Sequence, residues 1–573
     1  METSGRLRGP RTQAGGSDTV REPVVEYYRV RWPTLRRKQQ GQGVGLTGQA
    51  GQVTGGEVRM DGETSQTGKS IAIIGGGIAG LCAGCYAQMN GYRSVIYEMH
   101  AMPGGLMTAW ERKGYTIDYC IHWLVGSSPR SDMHKLWREV GLLRDREIVD
   151  LDIWTEYEAA DGRHVTFWRD LDRLEAHLRD LSPSDGDLIG RLLGDARRLA
   201  AVDMPADLPP RELMRRRDML RTAPRMLPWL LPARRWGKLS VGQLADRFQS
   251  ELVRDAILSI MPAPLGAMAL IGTWAWLHAG VAGYPLGGSL PLARNLERRY
   301  AELGGELRYD SRVTGVLTQR TGGPDRATGV RLDGGTEEAA EIVISAADGH
   351  ATIYDMLGAA YLDEELRSVY EGGALPLFYP ILFVGVGVAR DFADEPRRIS
   401  GLRFRLDEPI GAGSVYRQTL DARIMNFDPS LAPQGKTVIT STLEADGPYW
   451  WELRERDRAA YKAEKERLGE AVVAALDRRY PGLKDDVEMI DVATPATTIR
   501  YTGNWQASFE GWMPTPGHLL KGLPRRLPGL DDFYMIGQWV QPGGGLPTGV
   551  MTAREVLQLV CARDGVPFRT STV

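Results

Sequence analysis

The stretch IAIIGGGIAG, residues 71–80, places three glycines in GxGxxG spacing, directly after an apolar strand and at the start of a helix. In this arrangement Gly75 permits a tight turn, Gly77 lets the backbone approach a pyrophosphate, and Gly80 lets the helix lie close to the sheet. Phosphates bind at such a helix N-terminus because unpaired amides and the helix dipole favour negative charge there. The spacing therefore predicts a dinucleotide-binding fold.

A second strand, SVIYE at residues 94–98, follows the helix and ends in an acid. Glu98 lies eighteen residues after Gly80, where a carboxylate accepts hydrogen bonds from the adenosine ribose. A second glycine pair, Gly104 and Gly105, comes soon afterwards, at a point where nicotinamide-binding domains usually turn away. Small residues here let the backbone follow the ribityl chain of an extended flavin. The two glycine sites together favour FAD over NAD.

The far end of the chain carries a second cofactor motif. Residues 533–556, FYMIGQWVQPGGGLPTGVMTAREV, resemble the closing motif of the GG-type flavoprotein superfamily, which includes amine oxidases, protoporphyrinogen oxidases and phytoene desaturases. The resemblance implies a strand that ends at Gly537 and a helix that starts near Leu546, with its N-terminus toward the pyrimidine edge of the flavin. Amides at that point stabilise negative charge on the reduced ring.

Two internal segments resemble the phytoene desaturase and carotenoid isomerase branch, which also includes retinol saturase-like proteins. Residues 283–317 contain a glycine pair, a helix and Val313, whose backbone contacts the adenine in that family, and 341–350 resemble the returning strand. The resemblance covers about 70–563 and implies an FAD-dependent oxidoreductase. The residues that the motifs and the resemblance assign to FAD are Gly75, Gly77, Ile78, Ala79, Gly80, Glu98, Met99, Gly104, Gly105, Leu106, Trp123, Val313, Gly537, Trp539, Gln541, Gly545 and Leu546.

The segment after the Gly104–Gly105 pair departs from the family pattern. The family commonly has Asp-x-Gly there, whereas this chain has Asp118 followed by Tyr119 and Cys120, so a larger side chain replaces the glycine near the ring. Two histidines are candidates for moving a proton: His122, beside the expected ring, and His278, in an apolar stretch. The alternative for each is a structural histidine in the core.

Residues 256–292 contain no Asp, Glu, Lys or Arg, which by length alone is enough to span a bilayer. Frequent Pro and Gly interrupt the stretch, and a lipid-exposed helix cannot satisfy so many broken backbone positions. We expect a buried helix over about 265–277, followed by a loop that lines an apolar cavity. Such a cavity suits a long apolar polyene or isoprenoid lipid. The implied reaction is desaturation, saturation or flavin-dependent isomerisation, by hydride transfer at flavin N5.

Residues 211–238 mix arginine with Leu, Met and Trp, and therefore favour either peripheral contact with a membrane surface or a solvated helical arm. The N-terminus lacks the apolar core of a secretory signal. We predict a cytoplasmic protein, with peripheral membrane association as the alternative. No second glycine fingerprint for NAD(P)H is visible, so the expected electron acceptor is a quinone or oxygen.

Composition excludes several classes of protein. The 573 residues carry 73 acidic and 70 basic side chains, and a net charge of −3 argues against a nucleic-acid partner. An apolar fraction of 43% excludes wholesale disorder. Four cysteines are too few for a disulfide scaffold, and the Cys82–Cys85 pair has no second pair to complete a zinc site. We therefore expect no metal.

The predicted fold is α/β, with a Rossmann-type FAD-binding domain assembled from both chain ends and an inserted α+β substrate domain. The expected boundaries are a flexible extension at 1–69, FAD-binding parts at 70–150, 286–350 and 511–573, and substrate-domain parts at 151–285 and 351–510.

Two other functions remain open from the residues. An amine oxidase-like flavoenzyme predicts aromatic rings around the amine, which Trp123 and Trp539 would supply, and an acid, for which the uncharged stretch offers no candidate. A non-catalytic lipid-binding protein on the same fold would resemble Rab escort proteins and GDP-dissociation inhibitors, which do not use flavin. The intact glycine set and Glu98 count against that alternative.

Overall fold

The computed structural model describes residues 68–572, apart from 204, 207 and 519–521. Nearly all of the extension predicted at 1–69 lies outside the described residues. The first strand begins at Ser70, directly after the predicted start of the folded chain near Lys69.

The strands alternate with helices near both ends of the chain and cluster in its middle. They are β1 (Ser70–Ile74), β2 (Arg93–Tyr97), β3 (Ala109–Arg112), β4 (Tyr115–Asp118), β5 (Leu124–Val125), β6 (Ile148–Val149), β7 (Ile153–Glu158), β8 (His164–Trp168), β9 (Ala282–Pro285), β10 (Glu306–Arg308), β11 (Val313–Gln319), β12 (Asp325–Leu332), β13 (Glu337–Ala339), β14 (Ile342–Ser345), β15 (Ile381–Val388), β16 (Leu402–Ala412), β17 (Val415–Ile424), β18 (Thr437–Glu444), β19 (Val487–Ala493), β20 (Leu530–Asp531) and β21 (Phe533–Met535).

The three longest helices lie within the arginine-rich segment 211–238, in the segment before β19 and near the C-terminus. They are α1 (Ile78–Met89), α2 (Asp132–Glu139), α3 (Leu171–Leu181), α4 (Gly186–Ala200), α5 (Arg216–Trp236), α6 (Val241–Ala245), α7 (Glu251–Ile260), α8 (Ala267–His278), α9 (Ser289–Glu302), α10 (Glu364–Tyr370), α11 (Gly447–Arg456), α12 (Arg458–Arg479), α13 (Pro495–Thr502) and α14 (Gly545–Arg563).

A five-stranded parallel sheet, in the order β10-β2-β1-β14-β21, forms the first layer. Its central strand β1 is flanked by strands from both halves of the chain, since Ile71 is aligned with Ser94 on one side and Ile342 on the other. Helices α1, α9 and α14 pack in one apolar core with the sheet, as expected for buried parallel strands. This is the Rossmann-type sheet expected from both chain ends.

A seven-stranded mixed sheet, in the order β19-β15-β18-β17-β16-β7-β8, forms the inserted domain. Its strand β15 is buried along its whole length, as its run of apolar and β-branched residues favours. Pro380 precedes β15, and the strand starts only at Ile381 because proline cannot donate to the ladder. The α/β fold with an inserted α+β domain is confirmed.

The uncharged stretch at 256–292 folds partly as predicted. Its buried helix is confirmed as α8, which starts two residues later than expected. The segment that follows was predicted to be a loop, but residues 282–285 form strand β9, which pairs with β5 and β6. The two short strands pair antiparallel with β9 and satisfy its backbone hydrogen bonds in place of water. Among the described residues, no helix is both long enough and apolar enough to cross a membrane.

Candidate active site

The turn between β1 and α1 is built around glycine. Gly75 has a φ of 98°, and its N–H donates to the Tyr97 carbonyl at 2.9 Å, which ties the turn to β2. A Cβ on Gly80 would lie only 1.9 Å from the Gly75 oxygen. Any other residue at position 80 would push α1 away from the turn, because backbone atoms cannot yield at that distance.

The N-termini of α1 and α14 meet at this turn. A Cβ on Gly549 would lie 2.8 Å from Cγ2 of Ile78, and one on Gly537 would lie 3.4 Å from Cβ of Ala79. Neither helix has a capping side chain or an acidic residue in its first turn. Their first amides therefore keep free donors and positive dipole ends, which favour a pyrophosphate at α1 and negative charge on a flavin ring at α14.

Glu98 is held at the end of β2 by backbone amides. Its carboxylate accepts from Gly76 N at 2.6 Å and from His100 N at 2.8 Å, and it is buried. Burial raises the pKa of Glu98, and the hydrogen bonds from Gly76, His100 and Met99 oppose that rise. A carboxylate has about four acceptor positions, so at least one stays available for a ribose hydroxyl.

The second glycine pair crosses the first turn of α1. Gly104 N donates to Gly76 O at 2.9 Å, and Gly104 pairs with Gly77 as an isolated parallel bridge. A Cβ on Gly105 would lie 3.4 Å from the Gly77 Cα, so the backbones are almost in contact. Leu106 follows, partly buried. The glycine cradle, the uncapped helix ends and Glu98 together fit the phosphates and ribose of FAD.

The remaining predicted cofactor residues lie around this cradle. Val313 starts β11, two residues after Ser311, whose N–H donates to the Glu98 carbonyl at 2.8 Å. Gly537 N donates to Thr552 Oγ1 at 2.9 Å, which links the end of β21 to α14. Gly545 and Leu546 form the first turn of α14, and Gln541 lies partly buried just before it.

The two tryptophans of the amine oxidase alternative belong to different aromatic groups. Trp123 packs edge-on against Trp154 at 5.9 Å, whereas Trp539 packs against Trp512 at 5.6 Å and is buried. In the described part of the chain, no ring contact joins Trp123 to Trp539. These two side chains therefore do not form a stacked pair.

The two histidines occupy separate environments. His122 Nδ1 lies 3.4 Å from Ser400 Oγ, and burial, together with Arg423 and Arg403, holds its pKa well below the usual range. His278, at the end of α8, accepts the Leu171 N–H at 3.3 Å and so caps α3. His122 is thus neutral near pH 7, and His278 has a local structural contact.

Asp118 and the cysteines are structural in this fold. Asp118 accepts from Ser289 N at 2.9 Å and Ser289 Oγ at 2.5 Å, so it caps α9, and it also accepts from Cys120 N. Burial raises the thiol pKa of Cys120, Cys82 and Cys85, which keeps these thiols protonated. Within the described residues, no three His, Cys, Asp or Glu side chains are grouped to hold a metal ion.

Known proteins share both the cofactor motif and the length of this chain. Residues 73–140 match the family model described as an NAD(P)-binding Rossmann-like domain. The prolycopene isomerase of Daucus carota is 24% identical over 84% of this chain and 79% of its own length. The phytoene desaturase (neurosporene-forming) of Rhodobacter capsulatus is 23% identical over 87% of this chain and 95% of its own length. The chain is thus similar to a prolycopene isomerase and a phytoene desaturase along most of its length.

Solved structures of the same fold cover most of this chain. A putative protoporphyrinogen oxidase from Exiguobacterium sp. 255-15 matches 87% of this chain and 100% of its own, with a TM-score of 0.54 and 15% identity. The cyclohexylamine oxidase of Brevibacterium oxydans IH-35A matches 87% of this chain and 99% of its own, with a TM-score of 0.52 and 14% identity. The chain is an oxidoreductase and its cofactor is FAD.

The fold also brings together polar residues that the sequence did not predict as a site. Arg403 and Asp421 are cross-strand partners on β16 and β17, and burial lowers the pKa of Arg403 and raises that of Asp421. Tyr379 lies near both of them, and Glu510 lies near Tyr379. No motif marks these residues, because strand pairing rather than spacing brings them together. Asp421 and Glu510 are also acids, which an amine oxidase-like enzyme would need and which residues 256–292 lack.

Proposed function

We propose that this oxidoreductase acts on a long apolar polyene or isoprenoid lipid, by desaturation, saturation or flavin-dependent isomerisation. The observation that carries the proposal is the similarity, over 84–87% of the chain, to a prolycopene isomerase and a phytoene desaturase. The uncharged helix α8 supports it, since its side chains join one apolar core with Trp123 and Phe509 at its edge. Burial of hydrocarbon would supply the affinity for such a substrate.

In this proposal FAD lies across the glycine cradle. The turn at Gly75–Gly80 binds its phosphates, the first turn of α14 lies toward the flavin ring, Glu98 binds the adenosine ribose, and Val313 lies at the adenine. FAD supplies the redox chemistry, taking a hydride at N5 in desaturation and returning it in saturation. The electrons then pass to a quinone or oxygen.

The neutral state of His122 suits a hydrogen-bonding role beside the ring better than proton transfer. A histidine whose pKa lies well below its usual range is a weak base at pH 7. His278 accepts a hydrogen bond from the start of α3, which indicates a structural role for this histidine. We therefore assign the movement of the substrate proton to neither histidine.

The function is tested by the purified protein and its bound molecules. An absorption spectrum, followed by organic extraction and mass spectrometry, is expected to show flavin bands and a co-purified polyene or isoprenoid. Turnover is then measured with phytoene and with prolycopene in vesicles, under oxygen and with a soluble quinone. Conversion of either compound, with reduction and reoxidation of the flavin, is the expected result.

Two outcomes would replace the proposal. Oxidation of cyclohexylamine or putrescine, with both polyenes unchanged, would indicate the amine oxidase-like alternative. Protein without flavin that still carries lipid would indicate a lipid-binding protein on the same fold.

We propose further that helix α5 contacts an anionic membrane surface, from which an apolar substrate enters. Its leucines and methionine are unusually exposed: Leu220 is 75% exposed, and Leu227 and Leu230 are each 61% exposed. At about 100° per residue, Met219, Leu220, Leu227, Leu230 and Leu231 fall within about a third of the helix circumference.

The cations of α5 are distributed on two sides. Arg235 binds Asp195 at 2.7 Å and Arg225 pairs with Asp132, so both tie the helix to the protein. Arg216 and Arg234 are exposed and fall on the same side as the apolar residues. Exposed leucine flanked by arginine matches the apolar and anionic layers of a lipid headgroup region.

The membrane contact is tested by co-sedimentation with vesicles of phosphatidylglycerol and phosphatidylcholine. The triple variant Leu220→Glu/Leu227→Glu/Leu230→Glu is expected to lower partitioning by at least ~100-fold, because three buried leucines each contribute about 1.5 kcal/mol or more. Leu258→Glu, on α7 and 38% exposed, is the matched control and should bind normally. Normal binding by the triple variant would contradict the proposal.

A further inference from the structure

Glu510 carries a carboxyl group that the fold leaves without a partner. In the part of the chain that the structure describes, no hydrogen bond or ion pair reaches this carboxylate, and the side chain is partly buried. Burial raises the pKa of Glu510 to about 7. Such a group changes its protonation state near neutral pH, as an acid or base in a reaction must.

Asp348 shows the structural alternative. Burial raises its pKa to about 7 as well, yet one oxygen accepts from Ala351 N at 2.7 Å and the other from Trp505 N at 2.8 Å. Asp348 therefore has a sufficient role in holding the chain after β14. Glu510 has no comparable contact that would explain the cost of its burial.

The start of α14 leaves room for Glu510. A Cβ on Gly544 would lie 2.5 Å from the Glu510 carbonyl oxygen and 2.8 Å from its Cγ. A Cβ on Gly545 would lie 3.6 Å from Oε1, so the carboxylate itself stands beside the first residue of α14. The carboxylate thus lies at the helix end that we place against the flavin.

The second domain holds Glu510 from the other side. Phe378 N donates to Gly511 O at 2.9 Å, and Phe509 packs on Phe378 at 5.1 Å. These contacts fix the backbone of Glu510 against the segment that leads into β15.

Several titratable groups face the Glu510 carboxylate. Burial and nearby carboxylates, Glu510 among them, raise the pKa of Cys120 and also that of Tyr379. Arg403, Arg417 and Asp421 lie around Tyr379, and Arg417 pairs with Glu444. Glu510 therefore lies near Cys120, in the segment that leads to Trp123, and near Tyr379, beside polar residues of the seven-stranded sheet.

We propose that Glu510 is the catalytic residue that moves the substrate proton. In desaturation one C–H bond loses a hydride, with its two electrons, to FAD, and the adjacent C–H bond loses a proton to a Glu510 carboxylate oxygen as the C=C bond forms. In saturation Glu510 returns that proton as the hydride is added. This inference rests on the proposed function, because it assumes a C–H substrate beside the flavin.

The test compares the wild-type holoenzyme with Glu510→Gln, and uses Asp348→Asn as the matched control. The first measurement needs no substrate: the flavin absorption spectrum is titrated between about pH 5 and 9. The wild type is expected to show a spectral change centred near pH 7, which Glu510→Gln lacks and Asp348→Asn retains. A wild-type spectrum that does not titrate would overturn the placement of Glu510 beside the flavin, whichever substrate the enzyme uses.

The second measurement follows turnover of phytoene or prolycopene. Glu510→Gln is expected to keep its flavin but lose about 100-fold or more in kcat, with the pH dependence near 7 removed. Unchanged kcat and pH profile in this variant would contradict the proposal. Spectral titration without conversion of either compound would refute the polyene substrate class alone. If Glu510→Gln does not fold, Glu510→Asp replaces it in the test, because this variant keeps the carboxylate but shortens the side chain by one carbon. An unchanged kcat in Glu510→Asp would also contradict the proposal.

Discussion

Gly80 sits so close to the Gly75 carbonyl that a single added carbon has no room. Gly80→Val is expected to displace α1 from the turn, which moves its N-terminus away from the position where the pyrophosphate binds. Overpacking of this kind costs about 1–3 kcal/mol. We expect protein with little or no bound flavin, measured as the ratio of flavin to protein absorbance after purification.

Gly194 on α4 provides the control for Gly80, because a Cβ there would meet nothing within 4 Å. Gly194→Ala is expected to keep full flavin and to stabilise α4 by about 0.5–1 kcal/mol, since alanine favours the helix. Full flavin content in Gly80→Val would show that the turn tolerates a shift of α1.

The pKa of Glu510 also has a consequence for stability. Its folded-state pKa, about 7, lies above the usual value of 4.5, so the folded chain binds more protons than the unfolded chain between those pH values. Stability therefore falls as pH rises through this window, by up to about 3 kcal/mol. Glu510→Gln should raise Tm relative to wild type more at pH 8 than at pH 5, as measured by circular dichroism. An equal difference at both pH values would argue against a raised pKa.

Asp195 on α4 accepts two of the hydrogen bonds that attach helix α5 to the protein. This buried carboxylate accepts from Arg235 Nη1 at 2.7 Å and from Trp236 Nε1 at 2.8 Å. Several apolar residues of α5 are exposed, and the contacts of Asp195 hold the C-terminal end of the helix against α4.

Asp195→Ala is expected to destabilise the attachment of α5 by about 2–3 kcal/mol, because the buried Trp236 N–H loses its acceptor. Hydrogen exchange of the α5 amides should accelerate accordingly. Arg191→Ala, at an exposed position of the same helix α4, should change exchange by no more than about 0.5 kcal/mol. Unchanged exchange in Asp195→Ala would indicate that other contacts hold the arm.

The whole cofactor domain depends on contacts between distant parts of the chain. Glu139 is fully buried and accepts from Tyr86 Oη at 2.8 Å and from Arg554 Nε at 3.2 Å. This network joins α1 and α2, near the start of the folded chain, to α14 near its end. The residues that bind FAD come from both of those ends, so the network also supports the cofactor site.

Glu139→Ala is expected to lower the free energy of unfolding by about 1–3 kcal/mol, since the buried Tyr86 hydroxyl loses the carboxylate that accepts its hydrogen bond. Denaturant unfolding, followed by circular dichroism and flavin fluorescence, measures the change. Glu302→Ala removes the partner of Arg144 in a surface pair and should cost no more than about 1 kcal/mol. Similar losses in both variants would mean that the buried network has no special role.

The strand, glycine turn and helix at 70–89, together with Glu98, were predictable because their interactions are local. Strand β15 was predictable for a related reason: a run of apolar, β-branched residues bounded by charge can satisfy its environment only as a buried strand. The motif at 533–556 indicated that both chain ends contribute to one domain.

The polar group around Glu510 was not predictable from local pattern. Arg403 and Asp421 become neighbours only through the register of β16 and β17, and Glu510 reaches Gly545 only when α14 docks beside residues 509–511. Its raised pKa comes from burial, which depends on every element packed around it. Local motifs thus specify the cofactor cradle, whereas the protonation chemistry next to it arises from contacts between segments far apart in the chain, because only long-range packing removes those side chains from water.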